Sequence, residues 1–111
     1  MNIQIFGTKK CNETKKTERF FKERGIPFHF RDLSEKGISP GELDNILRVV
    51  KIDDLIDVNS KEYIKRGLQY MVFNAKEELL ADPLLFKTPI VRNGKMVTVG
   101  YQPEIWKGWI D

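Results

Sequence analysis

The sequence predicts a single α/β domain over residues 1–111, in which a βαβ unit and a ββα unit flank a helical insertion and four strands share one mixed sheet. Three observations lead there. Two short apolar runs, Ile3 to Phe6 and Ile26 to Arg31, flank a charged stretch, Asn12 to Arg24, that is free of Pro and Gly. A strand, a helix and a strand within so few residues make a parallel pair joined by a right-handed crossover. Near the other end, Asn93-Gly94 separates two β-rich runs, Thr88 to Arg92 and Lys95 to Val99, and marks a tight antiparallel hairpin of type I′. Between the two halves, over about residues 40–82, cap residues and helical spacing recur and no strand is evident.

Each element has its own signal. Ile3, Ile5 and Phe6 form a buried strand, and Gly7-Thr8-Lys9-Lys10 turns the chain. Glu, Lys and Arg dominate Asn12 to Arg24 and favour helix; Phe20 and Phe21 give it an apolar contact, and Gly25 stops it. Pro27 stands at the start of the second strand, where no ladder donor is missed. Asp32 to Ser39 is a loop. Ser39-Pro40-Gly41-Glu42 opens a helix with a capping Ser, a Pro in the first turn and an acid three residues on, and Leu43, Ile46, Leu47 and Val50 follow at helical spacing. Leu55 to Asp57 reads as a turn, Asn59 to Lys65 as a short helix ended at Gly67, and Asn74 to Leu80 as another closed by Asp82-Pro83. Gln102 to Trp109 closes the chain as a helix with Ile105, Trp106 and Trp109 as its apolar face.

Composition narrows the function classes. The chain is 41% hydrophobic, 11% aromatic and 32% charged, which argues against disorder. Its formal charge of +3 is not gathered into long runs. Such a balance permits an anionic small molecule or an acidic protein surface and does not call for direct nucleic-acid binding. No stretch approaches the roughly 18 apolar residues of a membrane span, and the N-terminus lacks a signal-peptide pattern, so a soluble cytoplasmic protein is the expectation. One Cys excludes an internal disulfide and a Cys-based metal cluster; with one His besides, no metal site is expected. His29 lacks partners at ligand spacing and reads as structural or surface-lying, and Asp53, Asp54 and Asp57 lack a calcium-loop pattern and read as a solvated loop.

Cys11 falls where the first strand hands over to the first helix. A helix N-terminus offers unpaired N–H groups and the positive end of a dipole, and nearby cations lower a thiol's pKa further. Lys9, Lys10, Lys15 and Lys16 bracket the position, Asn12 adjoins it, and the Thr14 hydroxyl can turn toward the sulfur. Position alone leaves two readings. Cys11 is either a small apolar residue in a tight turn or a thiol activated below the free value of about 8.5. The lysines are equally open, as a source of positive potential or as the solvated face of a helix.

Phe6-Gly7-Thr8-Lys9-Lys10-Cys11-Asn12-Glu13-Thr14-Lys15-Lys16, Gly25-Ile26-Pro27-Phe28, Thr88-Pro89-Ile90-Val91 and Val99-Gly100-Tyr101, in that order and spacing, resemble the arsenate reductase (ArsC/Spx) family almost end to end. The resemblance implies a thioredoxin-like fold with a helical insertion. It also implies a cis peptide between Thr88 and Pro89 facing the Cys11 thiol. By the same likeness, Lys87, Thr88 and Pro89 together with the Gly100-Tyr101-Gln102 turn would receive a thiol substrate or glutathione, the turn offering N–H groups to the γ-glutamyl carboxylate; otherwise Gly100 is simply a turn glycine.

Departures from the family pattern shape the functional expectation. Cys-x-x-Cys members carry a second Cys where this chain has Thr14, so no internal switch can form there. The three arginines that hold the oxyanion in glutathione- and glutaredoxin-coupled arsenate reductases correspond here to Asp57, to Thr88, and to the neighbourhood of Gly100 and Tyr101. Losing several charge-assisted contacts disfavours efficient arsenate reduction. Two readings follow. In the first, Cys11 is the catalytic nucleophile of a thiol oxidoreductase that relies on glutathione or a glutaredoxin as external reductant, with no resident cofactor and with Thr88 pairing with the incoming chain as a short strand. In the second, the chain is an Spx-like transcriptional regulator that binds RNA polymerase and has no enzymatic activity.

Overall fold

The computed structural model describes all residues 1–111. Its elements are β1 (Ile3–Gly7), α1 (Asn12–Glu23), β2 (Phe28–Asp32), α2 (Pro40–Leu47), α3 (Lys61–Lys65), α4 (Ala75–Ala81), β3 (Ile90–Asn93), β4 (Met96–Val99) and α5 (Pro103–Ile110). Short 3₁₀ turns lie at Ile52–Asp54, Leu68–Tyr70 and Pro83–Leu85. The chain divides into two compact units: Met1–Asp32 with Thr88–Asp111, and Leu33–Lys87.

The first unit is built on one four-stranded sheet in the order β2-β1-β3-β4. β1 and β2 run parallel with Ile3 opposite Phe28, while β3 is antiparallel both to β1, with Ile5 opposite Val91, and to β4. Alternation along the strands sends Ile3, Ile5 and Val91 to one face, where they pack with Phe20 and Phe21 of α1 and Trp106 of α5. Trp106 is the largest fully buried side chain, its ring centroid 5.3 Å from those of both Phe20 and Phe21. Its indole N–H would be costly to bury unpaired, and it donates to Thr98 Oγ1 at 2.9 Å.

Four expectations are corrected here. The hairpin turn is displaced by one residue: Asn93 pairs with Met96, leaving Gly94-Lys95 as the central pair. Gly94 has φ +59° and no non-glycine residue has positive φ, so the turn carries the dihedral signs of type II′ and not type I′. Gly94 supplies the one left-handed position such a turn needs, and Asn93 extends the strand. Ile105 points to solvent at 47% exposure, because its neighbour Trp106 takes the buried direction of a short helix. β2 begins at Phe28, past Pro27, instead of at Ile26. Val50 lies beyond the end of α2 at Leu47 and does not continue its apolar face.

The second unit consists of short helices fixed by local caps. At α2, Ser39 Oγ accepts from the Glu42 N–H at 3.2 Å and Glu42 Oε1 accepts from the Ser39 N–H at 2.9 Å, a complete capping box. Ser60 caps α3 and Asn74 caps α4, each accepting an N–H at 3.1 Å. Arg66, at the end of α3, pairs with Glu78 and with Asp82 and links α3 to α4 and the following turn. Leu43, Ile46, Leu55, Leu68, Leu79 and Leu85 are buried. One isolated antiparallel bridge, Ile56 to Phe86, is the nearest approach to a strand in this unit, whose span 33–87 is wider than the 40–82 of the sequence reading.

Candidate functional site

The site grows from the end of β1. After Gly7 the chain turns, the Cys11 N–H donates to Thr8 O at 3.2 Å, and Cys11 takes the N-cap position of α1 with extended dihedrals. Its carbonyl accepts the Lys15 N–H at 3.1 Å, starting the helix. At this position Ser, Thr, Asp or Asn usually supplies an oxygen to the free N–H groups of the first turn. Here a half-buried sulfur stands in its place.

From the opposite side comes the segment before β3. The Thr88–Pro89 peptide is cis, as the family resemblance implies, and the Cys11 thiol donates to Thr88 O across 3.7 Å. Pro89 is buried, and its carbonyl accepts the Gly100 N–H at 2.8 Å, which ties the turn after β4 to the cis-proline. Gly100 has φ +84°, a conformation that favours glycine.

Burial pushes the Cys11 thiol up, but four groups outweigh it and the thiol titrates below its ordinary value: the hydroxyls of Thr14 and Thr88, and the backbone N–H groups of Thr14 and Glu13. These N–H groups belong to the open first turn of α1. The Thr14 hydroxyl is buried and has no hydrogen-bond partner, and as a donor it suits an ionised sulfur. Close packing holds that hydroxyl in place. A Cβ on Gly7 would collide with Thr14 Oγ1 and come within 2.6 Å of its Cγ2, so glycine is required at position 7.

The expected site residues therefore fall into groups. Cys11, Thr14, Thr88 and Pro89 come together. Lys10, Asn12 and Lys15 are exposed around the thiol and are not among the groups that move its titration. Lys16 lies over the Tyr101 ring at 5.9 Å from its centroid. Lys87 belongs to the helical unit, where its N–H donates to Leu55 O at 2.7 Å. In the 100–102 turn the Gly100 N–H is already taken by Pro89, which leaves the N–H groups of Tyr101 and Gln102 to offer; the Thr88 N–H also has no acceptor in the protein. The roles of Gly7, of the Glu13 N–H and of the Thr88 hydroxyl are absent from the sequence reading. A Gly seven residues before a Thr signals no contact, and a Thr before Pro draws notice for its backbone first.

The strand order, the cis-proline and one thiol at the first helix N-terminus define a thioredoxin-like domain. The chain belongs to the ArsC family, whose profile matches residues 6–108. It is similar to the global transcriptional regulator Spx 2 of Oceanobacillus iheyensis, 30% identical over 109 residues that cover 94% of this chain and 80% of that protein. Among solved structures it superposes on the protein YFFB with a TM-score of 0.84 at 22% identity, covering 96% of both chains. It also superposes on an arsenate reductase from Vibrio cholerae with a TM-score of 0.79 at 20% identity, covering 95% of this chain and 94% of that one. No helix is long and apolar enough to cross a membrane.

Proposed function

We propose that this chain is a monothiol oxidoreductase in which Cys11 is the nucleophile and glutathione or a glutaredoxin is the external reductant. The observation that carries this reading is the buried Thr14 hydroxyl, unpartnered beside a thiol whose titration is lowered. An inert packing cysteine has no use for such a donor, whereas a thiolate does. The Cys11 thiolate attacks one sulfur of a disulfide, the old S–S bond breaks as the Cys11 mixed disulfide forms, and the other sulfur leaves as a thiolate. No second Cys exists in the chain, so an external thiol must attack the mixed disulfide and regenerate Cys11. The free Thr88 N–H suits strand pairing with a substrate backbone, and the Tyr101 and Gln102 N–H groups suit a carboxylate. With Asp57, Thr88 and the neighbourhood of Gly100 and Tyr101 corresponding to the family's oxyanion arginines, efficient arsenate reduction is not part of the proposal.

A second reading is favoured by the 30% identity to a protein named a global transcriptional regulator. On it, the chain binds RNA polymerase and Cys11 is a sensor or a remnant. Glutathione disulfide separates the two. The oxidoreductase reading expects one glutathione on Cys11 by mass spectrometry, removal by a dithiol, no adduct on Cys11→Ser, and turnover of a glutathione mixed-disulfide substrate when glutaredoxin is supplied. A thiol that stays unmodified while an unstructured peptide thiol reacts, together with co-purification of RNA polymerase subunits, makes the regulator the better reading.

A further inference from the structure

Beyond the thiol, α1 and α5 enclose a groove that the proposed chemistry does not use. Its cavity is about 250 Å³, with Phe20, Tyr101 and Pro103 among its walls. That is below the roughly 300–1,000 Å³ of sites for cofactors and drug-sized ligands, and suits one or two amino-acid side chains. Four basic residues and one acid, Glu23, line it, a surplus of three positive charges. Counting Glu104, which pairs with Lys107 at the rim, two positive charges remain in excess there.

Three of those cations form no ion pair. The Arg24 guanidinium lies 3.7 Å above the Phe20 ring centroid and donates to Phe20 O at 3.1 Å. The Lys16 ammonium lies over the Tyr101 ring, and Arg19 stands exposed between them on α1. Lys107 is paired with Glu104 at the rim, at 3.2 Å. Cations held against aromatic faces are positioned without being neutralised, which leaves their charge for a ligand and reduces the ordering cost of binding it.

We propose that the groove between α1 and α5 docks an acidic segment of a partner protein, seating an apolar side chain against Phe20, Tyr101 and Pro103 and its carboxylates on Lys16, Arg19 and Arg24. Charge complementarity and an apolar floor of side-chain size favour a peptide. A nucleic acid would ask for a longer basic track and several open stacking faces, where this groove has one exposed ring already covered by Lys16. The docking does not require Cys11 to react.

Amide chemical shifts of the ¹⁵N-labelled full chain, under reducing conditions, test it. The probe is a synthetic peptide of about nine residues with glutamates around a central leucine, compared with its glutamine counterpart. The expected result is movement confined to amides 16–24 and 101–107 and to the Trp106 indole. The glutamine peptide and the Lys16→Glu/Arg19→Glu double variant should each bind about tenfold more weakly or worse, and added salt should weaken binding. Both substituted residues are exposed, so the variant's spectrum should otherwise match the parent. Cys11→Ser should bind as the parent does. Absence of binding, equal binding of the glutamine peptide, shifts elsewhere, indifference to the charge reversal, or tighter binding of a single-stranded oligonucleotide at the same amides would each overturn the proposal.

Discussion

The sheet unit and the helical unit are stabilised on different length scales. In 33–87 the helices run 5–8 residues, and each is fixed by a side chain next to it in sequence: Ser39, Ser60 and Asn74. In the sheet unit α1 has no capping side-chain bond at all, and Cys11 occupies the cap. Its support comes from residues far away in sequence, through Val91, Trp106 and the Cys11-to-Thr88 contact. The difference teaches where chemistry can be afforded. A helix start held by tertiary packing can give its N-cap to a sulfur, whereas a five-residue helix such as α3 cannot give up its Ser.

The hardest blow to this contrast is Trp106→Ala. It removes the largest buried side chain and leaves the Thr98 hydroxyl unpaired, so a loss of about 3–5 kcal/mol is expected in urea unfolding. Hydrogen-exchange protection should fall first in β1, β3 and α5.

Gly7→Ala is next. The added methyl must displace Thr14, and a loss of about 1–3 kcal/mol is expected. Alkylation of Cys11 at neutral pH should slow with it, since the hydroxyl is moved from the sulfur. A stable Gly7→Ala protein with unchanged thiol kinetics would mean that Thr14 does not act on Cys11.

Ser39→Ala sharpens the comparison from the other side. Loss of the capping box should cost about 1 kcal/mol and raise exchange locally in α2, while Cys11 reactivity stays as it was.

The smallest effect is expected from Thr14→Val. The shape is kept and the donor removed, so the Cys11 titration, followed by alkylation rate against pH, should move upward; Thr14→Ser should restore most of it. Because the folded thiol titrates below the unfolded one, its contribution to stability is fully present above the unfolded pKa and is lost as pH falls through the folded pKa. Thr14→Val should flatten that slope, and Cys11→Ser should abolish it.

Much of the fold was legible because its signals are local. Ser39-Pro40-Gly41-Glu42 announces a capping box, and a charged run between two apolar strands announces the βαβ unit. The hairpin shows where locality ends. Asn-Gly marks a turn, but whether Asn93 is a turn residue or a strand residue depends on its pairing with Met96 and on the register with β1. Ile105 and Trp106 show the same at the side-chain level: the adjacent Phe20 and Phe21 of α1 are both buried, whereas of this pair on α5 only Trp106 is, through packing with those two rings that the local pattern does not encode. At the site, the strand-to-helix junction placed Cys11 at a helix start and left its role open, and the cis-proline came through the family resemblance. The hydroxyl of Thr88 and the fit of Thr14 against Gly7 were not, since both depend on distances across the fold that no spacing in the sequence encodes.

The indole content has a spectroscopic consequence. Both tryptophans, Trp106 and Trp109, lie on α5, and the helical unit contains none. Intrinsic tryptophan emission therefore follows the sheet unit alone, with Trp106 shifting from a dry aromatic setting to water as that unit opens. Far-ultraviolet dichroism weighs all five helices, three of which belong to residues 33–87. Two curves recorded on one sample thus differ in what they weigh: emission reports the sheet unit, dichroism both units. If they coincide across a denaturant series, the units unfold as one cooperative body; if they part, the order in which they part names the weaker one.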